Sequence, residues 1–348
     1  MEPKSFSQGR RQFVKNSSLS MAGLFLLPGY LKQTPSSDVV ITVNGPIPAG
    51  DMGFALTHEH ILVDFIGAEK QSKDRYDADE VYNTALPHLT ALKESGCSTL
   101  FAAEPAYLGR DVRLLKRLSD ATGMNIVTNT GYYGAVNEKF LPKHAYKETP
   151  EQLAARWIAE FKNGIDGTGI KPGFIKTSTD KGPLTKTQRK IITAAALAHL
   201  ETGLTILVHT GDGAAAKEQL SILKDVGVDP SARVWTHAQN ELDRRQFTDA
   251  AWQNCWVAFD GVNPGTIEAN LEYLKFMKTA NMLDHVLVSQ DSGWYHVSEP
   301  KGGDFRPFTC IAKVFIPRLK VSGFTDEDID QIFKINPKNA FAVKVRKR

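Results

Sequence analysis

From residue 39 onward the chain alternates between two hydrophobic rhythms. Short runs rich in Val, Ile and Phe read as strands at residues 39–43, 54–60, 98–103, 125–130, 173–177, 204–208, 233–236, 256–259 and 285–289. Between them, apolar residues recur at helical spacing over 79–95, 111–122, 151–163, 187–201, 214–226, 242–251 and 266–280. Several of these segments carry end signals: Gly96, Gly123 and Gly203 follow the last periodic residue, and Pro150 stands where a first helical turn accepts it. Two more helices are predicted at 309–320 and 325–335. Asn44-Gly45-Pro46 is a turn signal that places the first strand in a small hairpin with the segment before Gly53.

Setting the hairpin aside leaves eight strand–helix units, at about 30 residues each, which is the size of a closed barrel. Short strands alternating with amphipathic helices imply a parallel sheet covered by helices. The expected fold is therefore α/β: a (β/α)8 TIM-type barrel with a short N-terminal β-hairpin and an extra C-terminal helix. A doubly wound open sheet is the alternative. It ordinarily carries a glycine-rich phosphate loop after its first strand, and none is visible here.

The first 37 residues follow another pattern. Arg10-Arg11 precede an apolar stretch from Leu19 to Leu31 and a polar spacer, an arrangement that resembles a twin-arginine export signal. That stretch is too short and too interrupted by Gly and Pro for a stable membrane span. The expectation is an exported, periplasmic protein with residues 1–37 as signal and spacer and residues 38–348 as one barrel domain. The net charge of +3 over 348 residues makes no case for nucleic-acid binding. Cys97, Cys255 and Cys310 are far apart and read as buried thiols. The basic end, Val345-Arg346-Lys347-Arg348, reads as a solvated tail.

Chemistry concentrates at the C-terminal ends of predicted strands. His58 and His60 end the first core strand, and i, i+2 spacing aims both imidazoles to one side, as a metal site requires. Lys176, His209 and His237 end the fourth, fifth and sixth strands, and Asp291 follows the eighth. A barrel gathers all these ends at one mouth. Glu59, between two candidate ligands, should point the other way and serve as support. His88, His144, His199 and His285 read as ordinary histidines. Glu104, at the end of the second strand, adds a carboxylate near the mouth.

These positions, with Gly45-Pro46-Ile47, Gly109-Arg110-Asp111-Val112, Thr130-Gly131-Tyr132-Tyr133 and Asn336-Pro337, resemble the phosphotriesterase family of the amidohydrolase superfamily, in its lactonase-like branch. The resemblance runs from about residue 41 to residue 341. It implies two divalent metal ions, usually zinc. His58, His60 and Asp291 would bind the more buried ion, and His209 and His237 the more exposed one. Lys176 would bridge both as an N6-carboxylysine. A hydroxide shared by the metals would attack the substrate, and Asp291 would take its proton. Some superfamily relatives bridge with a glutamate, which keeps Glu104 as a rival to Lys176.

The expected activity is hydrolysis of a lactone or carboxylic ester, with phosphotriester or phosphodiester hydrolysis as the alternative and a non-catalytic exported binding protein as the remote one. The expected partner is a small-molecule ester or lactone, and the oligomeric state is left between monomer and homodimer. Trp294 and Arg306, in a loop predicted at 292–308 after the eighth strand, together with Glu104 and Tyr132, are the expected substrate contacts. Lys301 and Arg306 would meet an anionic group, and with Glu104 and Tyr132 on the opposite side they point to a polar, anionic lactone or ester.

Overall fold

The computed structural model describes residues 38–348. Strands β1 (Val39–Thr42) and β2 (Gly45–Pro48) pair antiparallel as the small hairpin. The eight staves of the barrel follow: β3 (Ala55–Val63), β4 (Thr99–Ala102), β5 with β6 (Asn125–Val127 and Asn129–Thr130), β7 (Phe174–Thr179), β8 (Thr205–Thr210), β9 (Arg233–Thr236), β10 (Trp256–Phe259) and β11 (Val286–Val288). From β3 to β5 and from β6 to β11, neighbouring staves pair in parallel. The expected strand at 125–130 breaks at Thr128, so that β5 pairs with β4 and β6 with β7. The ring closes through the chain leaving β11: Asp291 N donates to His58 O (3.1 Å), and His60 N donates to Ser292 O (2.9 Å).

Helices α1 (Ala78–Glu94), α2 (Val112–Thr122), α3 (Lys143–Lys147), α4 (Pro150–Asn163), α5 (Lys186–Thr202), α6 (Gly213–Val226), α7 (Arg245–Trp252) and α8 (Ile267–Thr279) follow the staves. Their ends rest on the signals in the sequence. Thr149 with Gln152 and Thr185 with Gln188 form capping boxes, and Gly123 and Gly203 close α2 and α5 in the left-handed region. The predicted helix at 309–320 is a π-helical turn, Ile311–Phe315, running into α9 (Ile316–Val321). The last helical stretch is α10 (Asp326–Asp330), a second π-helical turn (Gln331–Ile335) and α11 (Asn336–Phe341).

Both faces of every stave are covered. All nine residues of β3 are buried, including Thr57, His58, Glu59 and His60. Inward-facing Phe101, Phe174, Leu207, Val234 and Leu287 meet inside the ring, with Met52 and Phe341 beneath them. That apolar plug fills the lower barrel and leaves the upper end to polar side chains. Among the described residues no helix is long and apolar enough to cross a membrane.

Two expectations are corrected. The segment after β11 is not all loop: β12 (Gly293–His296) pairs in parallel with β3. Gly293 permits this, because a Cβ there would collide with His60 O and the Phe308 ring. The basic C-terminus is a strap rather than a solvated tail. Arg346 N donates to His199 Nε2 (2.9 Å), and the Arg346 guanidinium reaches the carbonyls of Asn339, Ala340 and Ala342. The twin-arginine-like segment lies outside the described residues.

Candidate metal centre

The upper ends of the staves bring together His58, His60, Lys176, His209, His237 and Asp291 around one cavity of about 380 Å³. His58 and His60 leave β3 on the same side, as alternation requires. Their rings lie 5.3 Å apart, His58 lies 5.1 Å from His237, and His209 lies 4.5 Å from His237, all between centroids. Lys176 is buried, with Nζ 3.1 Å from His58 Nε2. Asp291 Oδ1 stands 3.0 Å from His60 Nε2 and 3.9 Å from His58 Nε2. His237 and Asp291 both hold left-handed backbone, at φ 59° and 52°, a strained state that clusters at functional sites.

The strand-end reading missed Asp260, which follows β10 as a lone carboxylate. Its place at a strand end is its one signal in the sequence. Asp260 Oδ2 accepts from His58 Nδ1 (2.7 Å), and Oδ1 faces His237 Nδ1 (2.6 Å) while accepting from His237 N (3.0 Å) and Gln239 Nε2 (3.2 Å). Both Nδ1 atoms are thereby committed as donors, which leaves the Nε2 lone pairs aimed at the cavity. His58, His237 and Asp260 are close enough to chelate an ion. Their nitrogens are already spent on each other's hydrogen bonds, so Asp260 serves as an orienting clasp. His58, His60 and Asp291 form the second close triad, with both Nε2 atoms and the carboxylate facing one another at the cavity.

Glu59 behaves as expected. It turns away from the cavity and accepts from Ser289 Oγ (3.1 Å), Gln290 N (2.9 Å) and Ser292 N (2.8 Å), which fixes the segment carrying Asp291. Glu104 is buried with one oxygen 3.3 Å from His60 Nδ1. It stands on the far side of that ring from Asp291, which fits an orienting partner and neither a bridge nor a substrate contact.

The remaining substrate candidates divide. Trp294 lines the cavity, 4.7 Å from the His60 ring. Tyr132 does not. Gly131 at φ 117° turns the chain so that Tyr132 packs against Trp157 and meets His144 Nε2 through its hydroxyl (3.0 Å). Its neighbour Tyr133 lines the cavity instead, 5.2 Å from the His209 ring. Arg306 is committed as well: Nη2 donates to Asp291 O (2.6 Å), and the guanidinium covers Trp294. Lys301 and Asp304 are exposed and stand outside the cavity lining. The walls are mostly apolar, with Val63, Phe65, Leu108 and Phe140 among them. This corrects the expectation of a polar pocket.

The charges of the cluster are set by burial and by one another. Burial, then the Lys176 charge, pushes His58 down to about 4, and burial holds His209 well below its ordinary value. Burial also lowers Lys176 to about 8. For His60, burial works downward, but Asp291 and Glu104 raise it to about 9. Asp291 is held below the usual carboxylate range because His58 and His60 outweigh burial. Among the described residues Asp291 Oδ1 and His60 Nδ1 lack a hydrogen bond of good geometry, although Oδ1 lies 3.0 Å from His60 Nε2 and Nδ1 lies 3.3 Å from Glu104. Imidazole nitrogens and a carboxylate converging on one cavity are the donor set of a borderline divalent ion such as zinc.

Comparison with known proteins agrees with this geometry. A profile of the phosphotriesterase family matches residues 38–341. The phosphotriesterase homology protein of Escherichia coli (strain K12) is 29% identical over 293 residues, covering 83% of this chain and 98% of that protein. An aryldialkylphosphatase of Saccharolobus solfataricus is 30% identical over 308 residues, covering 85% of this chain and 97% of that protein. The solved structure of a variant of a phosphotriesterase-like lactonase from Deinococcus radiodurans superposes with a TM-score of 0.79 at 25% identity, covering 87% of this chain and 100% of that one. With the profile spanning almost the whole barrel, and with relatives matched over nearly their full length, this chain belongs to the phosphotriesterase family.

Proposed function

We propose that the protein hydrolyses the ester bond of a lactone or carboxylic ester, with two divalent ions, zinc in the usual case, held at the barrel mouth. The observation that carries this reading is the convergence of four imidazoles, Lys176 and Asp291 on one cavity. His58, His60 and Asp291 would hold the inner ion and His209 and His237 the outer one, with Lys176 between them. A bound pair of this kind supplies Lewis acidity to the substrate carbonyl and lowers the pKa of water.

The protein's own groups do the rest. Asp260 keeps His58 and His237 in the tautomer that presents Nε2. Lys176, lowered by burial, has a neutral amine accessible near neutrality. That amine adds to CO2: an N–C bond forms as one C=O π bond opens onto oxygen, the nitrogen gives a proton to water, and the side chain becomes a carbamate that would bridge two cations. Asp291, kept ionised, is the proton acceptor during attack, and Glu59 fixes the segment that carries it. The apolar walls hold the substrate body and limit water.

Apolar walls also favour a second reading within the same chemistry, hydrolysis of a neutral phosphotriester, and the aryldialkylphosphatase relative agrees with it. The test is a steady-state panel of γ-lactones, aryl esters and aryl dialkyl phosphotriesters on protein loaded with zinc, cobalt or manganese. Lactones turned over best would support the first reading. Triesters favoured by orders of magnitude would replace it with the second. Two bound ions with no turnover of any ester would leave a binding protein. We also propose that residues 1–37 direct export, on the strength of Arg10-Arg11 and the apolar run behind them.

A further inference from the structure

With Arg306 committed to Asp291 and Trp294, among the described residues one other cation lines the cavity beside the ligand cluster: Lys139. It stands in the connection between β6 and α3. Its stem lies along Gly67, where an added Cβ would meet Lys139 O at 3.3 Å, Cγ at 3.4 Å and Cε at 3.6 Å. Its ammonium is 5.6 Å from the centre of the Phe140 ring. Lys139 N donates to Val136 O (3.2 Å), and Lys139 O accepts from Ala68 N (3.2 Å). The residue is therefore held by both neighbouring loops.

The nearby acids are engaged elsewhere. Glu138 accepts from Thr185 Oγ1, and Glu69 faces Lys143 at 3.4 Å. Asp180, from the end of β7, accepts from Val136 N (2.7 Å), Asn137 N (3.2 Å) and Gln188 Nε2 (2.9 Å). Among the described residues no carboxylate lies within 4.0 Å of the Lys139 ammonium. The turn just before it is strained: Val136, Asn137 and Glu138 hold φ of 57°, 53° and 64° in succession. Consecutive left-handed residues without glycine are uncommon, and here the Asp180 carboxylate locks them through two backbone N–H groups. A strained turn, clamped from the next stave, sets a cation without an ion-pair partner at the rim of an apolar cavity.

We infer that Lys139 is a specificity-determining residue that receives an anionic group, carboxylate or phosphate, on the part of the substrate remote from the scissile ester. The inference rests on the proposed ester hydrolysis for its reacting end. The substrate class is then an apolar-bodied lactone or ester with an anionic terminus. Because Lys139 is exposed at the rim, its ion pair is a modest one, worth about fivefold in kcat/KM and weakened by salt.

The test compares a γ-lactone carrying a side-chain carboxylate with its carboxamide, on zinc-loaded enzyme. The unaltered protein should favour the carboxylate by about fivefold at low salt. In Lys139→Met that ratio should fall to about one, in Lys139→Glu it should invert, and in Lys139→Arg it should persist. Lys143→Met, which removes a nearby cation outside the cavity lining, should leave the ratio in place. A parent ratio of one, or an unchanged ratio in Lys139→Met, overturns the inference. Should neither lactone be hydrolysed, the lactone reading fails by itself. Calorimetric binding of the two unreactive ring-opened hydroxy acids then decides on Lys139: equal affinities, or a preference that survives Lys139→Met, overturn it.

Discussion

Asp260→Asn is the substitution that most directly examines the metal centre. Asp260 offers one oxygen to His58 and the other to His237 Nδ1, His237 N and Gln239 Nε2. An asparagine keeps one acceptor oxygen. Turned to serve His237 and Gln239, it sets its amide N–H against His58 Nδ1–H, donor facing donor. His58 relieves this by moving its proton to Nε2, and the lone pair aimed at the cavity is lost. A charge-assisted hydrogen bond in a buried site contributes about 1.5–3 kcal/mol. That range corresponds to roughly 10- to 150-fold, and it agrees with the loss of about 10–100-fold seen when the partner of a ligating histidine is removed. The expected result is zinc affinity and kcat/KM both lowered by about 10–100-fold with the fold intact. Metal content after dialysis against a zinc buffer, kinetics and circular dichroism measure the three. A folded Asp260→Asn protein that keeps its zinc and its kcat/KM within about twofold would refute the assignment of Asp260 as the clasp of both imidazoles.

Three further outcomes follow from the same structure. Lys176→Ala should lose at least about 100-fold in turnover, and acetate or propionate should restore part of it by filling the gap; full activity in Lys176→Ala with metal loss in Glu104→Gln would make Glu104 the bridge. His199 is held below its ordinary value of 6.5 by burial, and its Nε2 accepts from Arg346 N. The unfolded chain therefore takes up a proton first, so this contribution is complete above about pH 6.5 and is lost as pH falls below it. The melting temperature should decline from pH 7 to pH 5 more steeply in the parent than in His199→Gln, and parallel curves would count against this. For export, Arg10→Lys with Arg11→Lys should leave the protein in the cytoplasm by cell fractionation, and unchanged localisation would show that the segment is not the signal.

Much of the site could be read from the sequence because stave ends are short-range objects. The His58/His60 alternation, the apolar runs ahead of Lys176, His209 and His237, and the run ahead of Asp291 each sit within a few residues. The barrel then assembles them without further information. What stayed hidden depends on groups that meet only in three dimensions. Asp260 looks like any aspartate after a strand until two imidazoles from other staves reach it. Tyr132 and Tyr133 are alike in sequence, and only the turn at Gly131 decides which one faces the cavity. Arg306 had the charge to meet an acidic substrate, but Asp291 O and the Trp294 ring occupy it. β12 was read as loop because its pairing with β3 depends on the missing side chain of Gly293.

The seam of the barrel has a consequence for how the protein comes apart. First and last staves are joined by Asp291 N to His58 O, by His60 N to Ser292 O and by Glu59 reaching across to the residues after β11. An ion held by His58, His60 and Asp291 would span that same seam and act as a rivet between the two ends of a long loop of chain. Its binding free energy would then resist opening of the ring, because the split ring no longer has the site. Chelation should accordingly do more than silence the enzyme. It should loosen the joint between first and last staves before the middle of the sheet, and hydrogen exchange would register this first at the backbone amides of Asp291 and His60.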